Sequence, residues 1–172
     1  MTTQTKPEVT WEERAEQLGR NSMASIAEMV AALQCDYDRL EELRDERNAL
    51  ANAHDTAIWD RSDNGFELKE LKAAAGDCES QDEARERIME DPLSLQFRSG
   101  WCASKDEMEP EEFELLLGTG GPAVRIVGDV RGGSPSSPRL QVQDWFKPWT
   151  EYLDADRGVL LAYCECFCME SM

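Results

Sequence analysis

The sequence is poor in the residues that most enzymes use to move protons. It has one histidine, His54, in 172 residues, and that residue lies just past the end of the clearest helical pattern. Hydrolytic dyads and catalytic zinc sites lean on imidazole; a lone histidine at a helix end reads as a cap or a surface residue. Positive charge is also scarce: 18 Lys and Arg stand against 36 Asp and Glu, a formal charge of -18. This balance excludes a chain that grips nucleic acid phosphates or an anionic membrane by its own charge, and it favours a basic partner. No apolar run approaches the ~20 residues of a membrane-spanning helix. Residues 1–9 are polar, lack the apolar stretch of a signal peptide and are expected to form a disordered tail, which implies a cytoplasmic location. Without a secretion signal, the six cysteines imply no disulfides.

Other reaction chemistry is missing too. Gly118-Thr119-Gly120-Gly121-Pro122 precedes a strand pattern, whereas a phosphate loop feeds a helix N-terminus and carries a Lys-Ser/Thr pair. Carboxylates are so abundant that any glycosidase-like pair would be an arbitrary choice. Cys164, Cys166 and Cys168 fall at alternate positions of an expected strand, where thiols point one way without converging on a tetrahedral metal; they read as fillers of a sheet face, with zinc shared with Cys102 as the other possibility. No catalytic residue, cofactor or metal ligand is therefore assigned, and the chain is read as non-enzymatic.

What is present is a 41 % apolar fraction, enough for a core, and two patterns of periodicity. Thr10 and Glu13 form a capping box for a short helix that Gly19-Arg20-Asn21 is expected to break. From Ser22 to about Ala53 apolar residues recur every three or four positions with no Pro or Gly, which predicts one helix of roughly 30 residues. Its stripe, including Ile26, Val30, Leu33, Tyr37 and Leu40, forms a heptad seam that must be covered within the chain or by a second copy in a homodimer. Helices are also expected after the turn at 60–65, over 80–91, and over 110–118 with Pro110 in the first turn and Gly118 as the stop. Leu95 and Phe97 mark a short strand. Residues 123–130 and 139–146 read as a hairpin with a long loop, and 159–168 as a further strand. The fold class is α+β: an acidic helical region at 10–92, with one long helix in the N-terminal layer, packed on a region at 93–172 holding an antiparallel sheet of three or four strands.

The acidity is concentrated in the first two-thirds: residues 1–121 carry -16 and residues 122–172 carry -2. On the long helix Glu28, Asp38, Glu42, Asp45 and Glu46 share the face opposite the leucines. The net charge there, about one per ~4 Å, is too dilute to imitate duplex DNA, which carries one per ~1.7 Å. Asp106, Glu107, Glu109, Glu111, Glu112 and Glu114 put six acids in nine residues with no base among them, about one per ~2 Å. These eleven residues are the candidate partner-binding set. The other account of the second group is a helix N-terminus that favours acids, beside a solvated loop. Trp145, Phe146, Trp149 and Tyr152 surround Pro148, either as core or as an exposed anchor for a partner.

The strings ELLLGTGGPAVRIVGDV, RLQVQDWFKPWTEYL and VLLAYCECFC, across about residues 113–168, resemble small acidic proteins carried by bacterial phages, plasmids and integrative elements. The resemblance rests on the spacing of GGPAVRIVG, QDW, PWTEY and LLAYC, and it implies a mobile-element context in which such proteins block host defences, as anti-CRISPR and anti-restriction proteins do. Taken with the charge, it leads to the expectation of an inhibitor whose acidic surface mimics nucleic acid and occupies a basic groove of a host defence complex, most directly CRISPR-Cas. The alternative is a structural or regulatory interaction module working through the helical seam.

Overall fold

A computed structural model describes residues 10–50, 52–104 and 108–167. The tail expected at 1–9, together with Asp106, Glu107 and Cys168, lies outside these residues. In chain order the elements are α1 (Trp11–Leu33), α2 (Tyr37–Asn48), α3 (Ala53–Trp59), α4 (Asp63–Ala75), α5 (Gln81–Glu90), β1 (Ser94–Ser99), β2 (Pro110–Gly118), β3 (Ala123–Arg131), β4 (Ser134–Gln143), β5 (Thr150–Glu151) and α6 (Arg157–Cys164). The fold is α+β, with a five-stranded antiparallel sheet on the C-terminal side. Contacts divide the chain into a helical unit from Ala27 to Met89 and a sheet unit built from residues up to Ile26 and from Glu90 onward.

The sheet unit is a meander in which each strand pairs with its sequence neighbours, in the order β1-β2-β3-β4-β5. Strand alternation separates two faces. Phe113, Leu115, Val124, Ile126, Leu140 and Val142 are buried on one face, and α6 packs against β4 through an apolar side that buries Leu160, Tyr163 and Cys164. Phe113 stands directly opposite Gly128, and its ring occupies the space a Cβ would need there, 2.6 Å away. At β3–β4, Gly132 and Gly133 have φ of +57° and +74° and make a tight turn. The hairpin therefore has no long loop: Ser134–Pro138 continue the strand, and a register irregularity opposite Val127–Asp129 accommodates Pro138.

Three expected elements differ. Residues 110–118 form β2, because Phe113 and Leu115 alternate with Glu112 and Glu114 and bury a face of period two, while Pro110 sits at the strand's first position, where a missing N–H is tolerated. Residues 157–164 form a helix: Asp156 accepts hydrogen bonds from the N–H groups of Gly158 and Val159, and Leu160, Tyr163 and Cys164 lie at i, i+3 and i+4. The long seam is two helices. α1 runs without a break through Gly19, whose lack of a Cβ admits the Tyr152 ring, and it ends at Leu33; Asp36 then caps α2 by accepting from the Arg39 N–H. The capping box at Thr10 and Glu13 is present in both directions.

In the helical unit α2 and α4 pack together. Leu40 and Leu43 meet Leu68, Ala75 and Cys35, with Tyr37, Trp59 and Leu71 around them. Gly65 lets α4 begin against the end of α3, since a Cβ would strike the Trp59 carbonyl and the Asp60 backbone. The Gln81 side chain donates to the Leu33 carbonyl at 3.1 Å and so satisfies one of the last acceptors of α1.

Candidate protein-binding surface

The seam residues Ile26, Val30, Leu33 and Leu40 are buried within the chain, and the half-buried Tyr37 donates its hydroxyl to the Ala32 carbonyl at 3.0 Å. That side of α2 is thus covered. Its other side exposes Asp38, Glu41, Glu42, Asp45 and Glu46. Two of the three arginines of the same helix, Arg39 and Arg47, are drawn to acids on neighbouring segments, while Arg44 makes no ion pair among the described residues. Arg39 donates from Nε and Nη2 to the two oxygens of Glu67, at 3.1 and 2.9 Å, and from Nη1 to Glu42 at 3.1 Å. Arg47 donates to both oxygens of Asp60, at 2.7 and 3.2 Å. The hydrogen bonds from Arg39 hold the Glu67 carboxyl below the usual carboxylate range, and those from Arg47 do the same for Asp60.

Among the predicted acids of this unit, Glu42 shares Arg39 and Glu46 accepts from the neutral Asn64 amide at 3.0 Å. Glu28, Asp38 and Asp45 have no basic group within 4.0 Å among the described residues. Sequence reasoning did not single out Glu67 and Asp60, the acids outside α2 that pair with Arg39 and Arg47. They lie 28 and 13 residues from their arginines, and only the packing of α2 beside α4 and the α3–α4 turn brings them into range.

The second acidic group belongs to the sheet unit and lies on a strand, so its members split between two faces. Glu112 and Glu114 point away from the apolar face. Glu112 is ion-paired with Arg98, its direct cross-strand partner. Glu114 accepts from Arg125 Nη1, while Arg125 Nε donates to Gln141 at 2.9 Å and the guanidinium lies 4.0 Å from the centre of the Trp149 ring. This part of the group is therefore interleaved with cations. Glu111 turns the other way and rests its carboxylate against Gly100, and Glu109 is exposed in the connection before β2.

Of the aromatic group, Trp149 and Tyr152 are half-buried, while Trp145 is 63 % exposed and Phe146 fully exposed. Both ends of the two alternatives set by the sequence are thus occupied: two rings pack and two stand in solvent. His54 lies exposed in the first turn of α3, where its backbone N–H donates to the Asn52 cap. Cys164 and Cys166 lie at the end of α6, and burial pushes the Cys164 thiol up to about 12. Among the described residues no group of three or more His, Cys, Asp or Glu is placed to hold a metal ion. Among them, too, no helix is long and apolar enough to cross a membrane. Comparison with known protein families, with curated proteins and with solved structures returned no match.

Proposed function

We propose that this chain is a non-enzymatic inhibitor that works by binding: the acidic face of α2 enters the basic groove of a nucleic-acid-binding defence complex in the cytoplasm of a bacterial host, CRISPR-Cas first and a restriction enzyme next. The observation that carries the reading is the division of charge on α2. Its five exposed acids outnumber its three arginines, of which Arg39 and Arg47 are committed to Glu67 and Asp60 and the half-buried Arg44 alone carries no acid partner among the described residues. The helical unit holds 17 acidic and 8 basic side chains, so a basic groove would meet a surplus of carboxylates rather than a balanced surface. The mobile-element resemblance of residues 113–168 supports a target among host defences.

Binding by charge is screened by salt, since the Debye length falls from ~10 Å at 0.1 M to ~3 Å at 1 M. The test is a titration of the purified chain against a purified CRISPR-Cas effector complex at both salt concentrations, with the triple variant Asp38→Asn, Glu41→Gln, Asp45→Asn alongside. Affinity should drop by at least about tenfold in high salt and by a similar factor in the variant. Equal affinity of wild type and variant at low salt would remove α2 from the interface and the reading with it.

A further inference from the structure

In the sheet unit, the first turns of α1 and the stretch from Thr150 to Asp154 leave a groove of about 330 Å³. Its size is at the lower end of the ~300–1,000 Å³ usual for ligand pockets, with room for a side chain or two rather than a whole helix. Trp11, Ala15, Val142 and Tyr152 supply an apolar floor, and Leu153 stands at the rim with 83 % of its surface in solvent. The walls are acidic on both sides: Glu12 and Glu16 come from α1, Glu151 and Asp154 from the facing stretch. Glu16 is held by Arg20 at 2.6 Å, one turn further along α1. Among the described residues Glu12, Glu151 and Asp154 have no basic group within 4.0 Å, and none of those that line the groove is basic.

A solvated helix face does not need an aliphatic rim, and a packed core does not need carboxylates on two sides. An apolar slot bordered by like charges is complementary to one kind of chain: an aliphatic or aromatic side chain flanked by Lys or Arg. We infer that this groove binds a short basic segment of a protein partner, with one apolar side chain on the floor formed by Trp11 and Tyr152 and with cations meeting Glu12, Glu151 and Asp154. The site lies on the sheet unit and does not rest on the reading of α2.

The test uses the full chain, isotopically labelled, titrated with a short amidated peptide of alternating leucine and lysine and watched by NMR. Shifts should concentrate on the Trp11 indole N–H and on the amides of Glu12, Glu16 and residues 150–154. The variant Leu153→Ser, Glu12→Gln, Asp154→Asn changes only exposed side chains, so its fold can be verified by circular dichroism, and it should bind roughly tenfold more weakly. A peptide with serine in place of leucine keeps the charge and should weaken binding by a similar factor. Three results would overturn the inference: shifts centred on α2, equal affinity for the serine peptide, or the same shifts arising without peptide as protein concentration rises, which would make a second copy the occupant.

Discussion

Arg39 and Glu67 face each other across α2 and α4 with two parallel hydrogen bonds, Nε to Oε1 at 3.1 Å and Nη2 to Oε2 at 2.9 Å. This fork geometry is the one that guanidinium and carboxylate form best. It joins the two helices that make the core of the helical unit and turns one edge of the Arg39 guanidinium to Glu67, leaving only Nη1 for Glu42 among the exposed acids beside it.

The pair makes stability depend on pH in a defined direction. The Arg39 hydrogen bonds hold the Glu67 carboxyl below its ordinary value, so the folded state binds its proton less readily than the unfolded chain does. The stabilisation is present above the unfolded carboxyl pKa of ~4.3 and is lost as pH falls through the lower folded value. Both side chains are partly exposed, 31 % and 43 %, so the effect is modest and weakened by salt. Glu67→Gln should lower the urea midpoint at neutral pH, and the difference from wild type should close as pH drops below about 4. A gap that persists at acid pH would mean that Glu67 acts through packing rather than charge.

The sheet unit carries a pair with the opposite sign. Tyr163 is fully buried and donates its hydroxyl to Asp91 at 2.5 Å. Burial, and then this hydrogen bond to a carboxylate, push the phenol far above its ordinary value near 10. The contribution is therefore complete below pH ~10 and falls away as pH rises beyond it. Tyr163→Phe should cost about 1–3 kcal/mol in urea unfolding at neutral pH, because the Asp91 carboxylate loses its donor. The variant should also lose less stability than wild type between neutral pH and about pH 11. Tyr37, pushed up to about 12 by burial, contributes an alkaline loss of its own that remains in the variant.

The heptad stripe on α1 and α2 sets up a contrast between core and interface. Leu40 is buried among Leu43, Leu68 and Ala75. Leu40→Ala should therefore cost about 2–5 kcal/mol at any protein concentration, as a core truncation does. An unfolding midpoint that moves with protein concentration in wild type but not in the variant would instead place Leu40 at a subunit contact.

How much of this was legible in the sequence depends on the range of the deciding interaction. The class of fold, the capping box at Thr10 and Glu13, the helix ended by Gly76 and strands 94–99 and 123–131 follow from local signals, and they stand as expected. Elsewhere two local signals competed. In residues 110–118 Pro110 and Gly118 fit a helix as start and stop, yet the alternation of Phe113 and Leu115 with Glu112 and Glu114 was also visible, and the sheet face decided between them. Residues 157–164 show the reverse, with Asp156 as an unread cap for a segment rich in strand formers. Gly19 looked like a break because its partner, the Tyr152 ring, lies 133 positions away in sequence. The candidate acids were readable as exposed side chains, but their neutralisation by Arg98 and Arg125 was not, since cross-strand register brings those cations in.

Phe146 combines two unfavourable features at one position. Its φ is +61°, the left-handed region, which costs an L-residue with a Cβ roughly 1–2 kcal/mol, and its ring is fully exposed, so burial returns nothing. The Trp145 ring is its one aromatic neighbour among the described residues, tilted by 40° with centroids 6.3 Å apart, a contact worth about 0.5–1.5 kcal/mol at most and less in solvent. Asn tolerates this backbone better than Phe does, whereas a β-branched residue tolerates it worse. Phe146→Asn should accordingly raise stability, by up to about 1 kcal/mol, and Phe146→Val should lower it by at least that much. Thermal unfolding of the two variants decides the matter: a loss in both would show that the Trp145 contact outweighs the backbone strain, and a gain in the first would show a side chain kept at some cost to folding, as residues that serve a partner are.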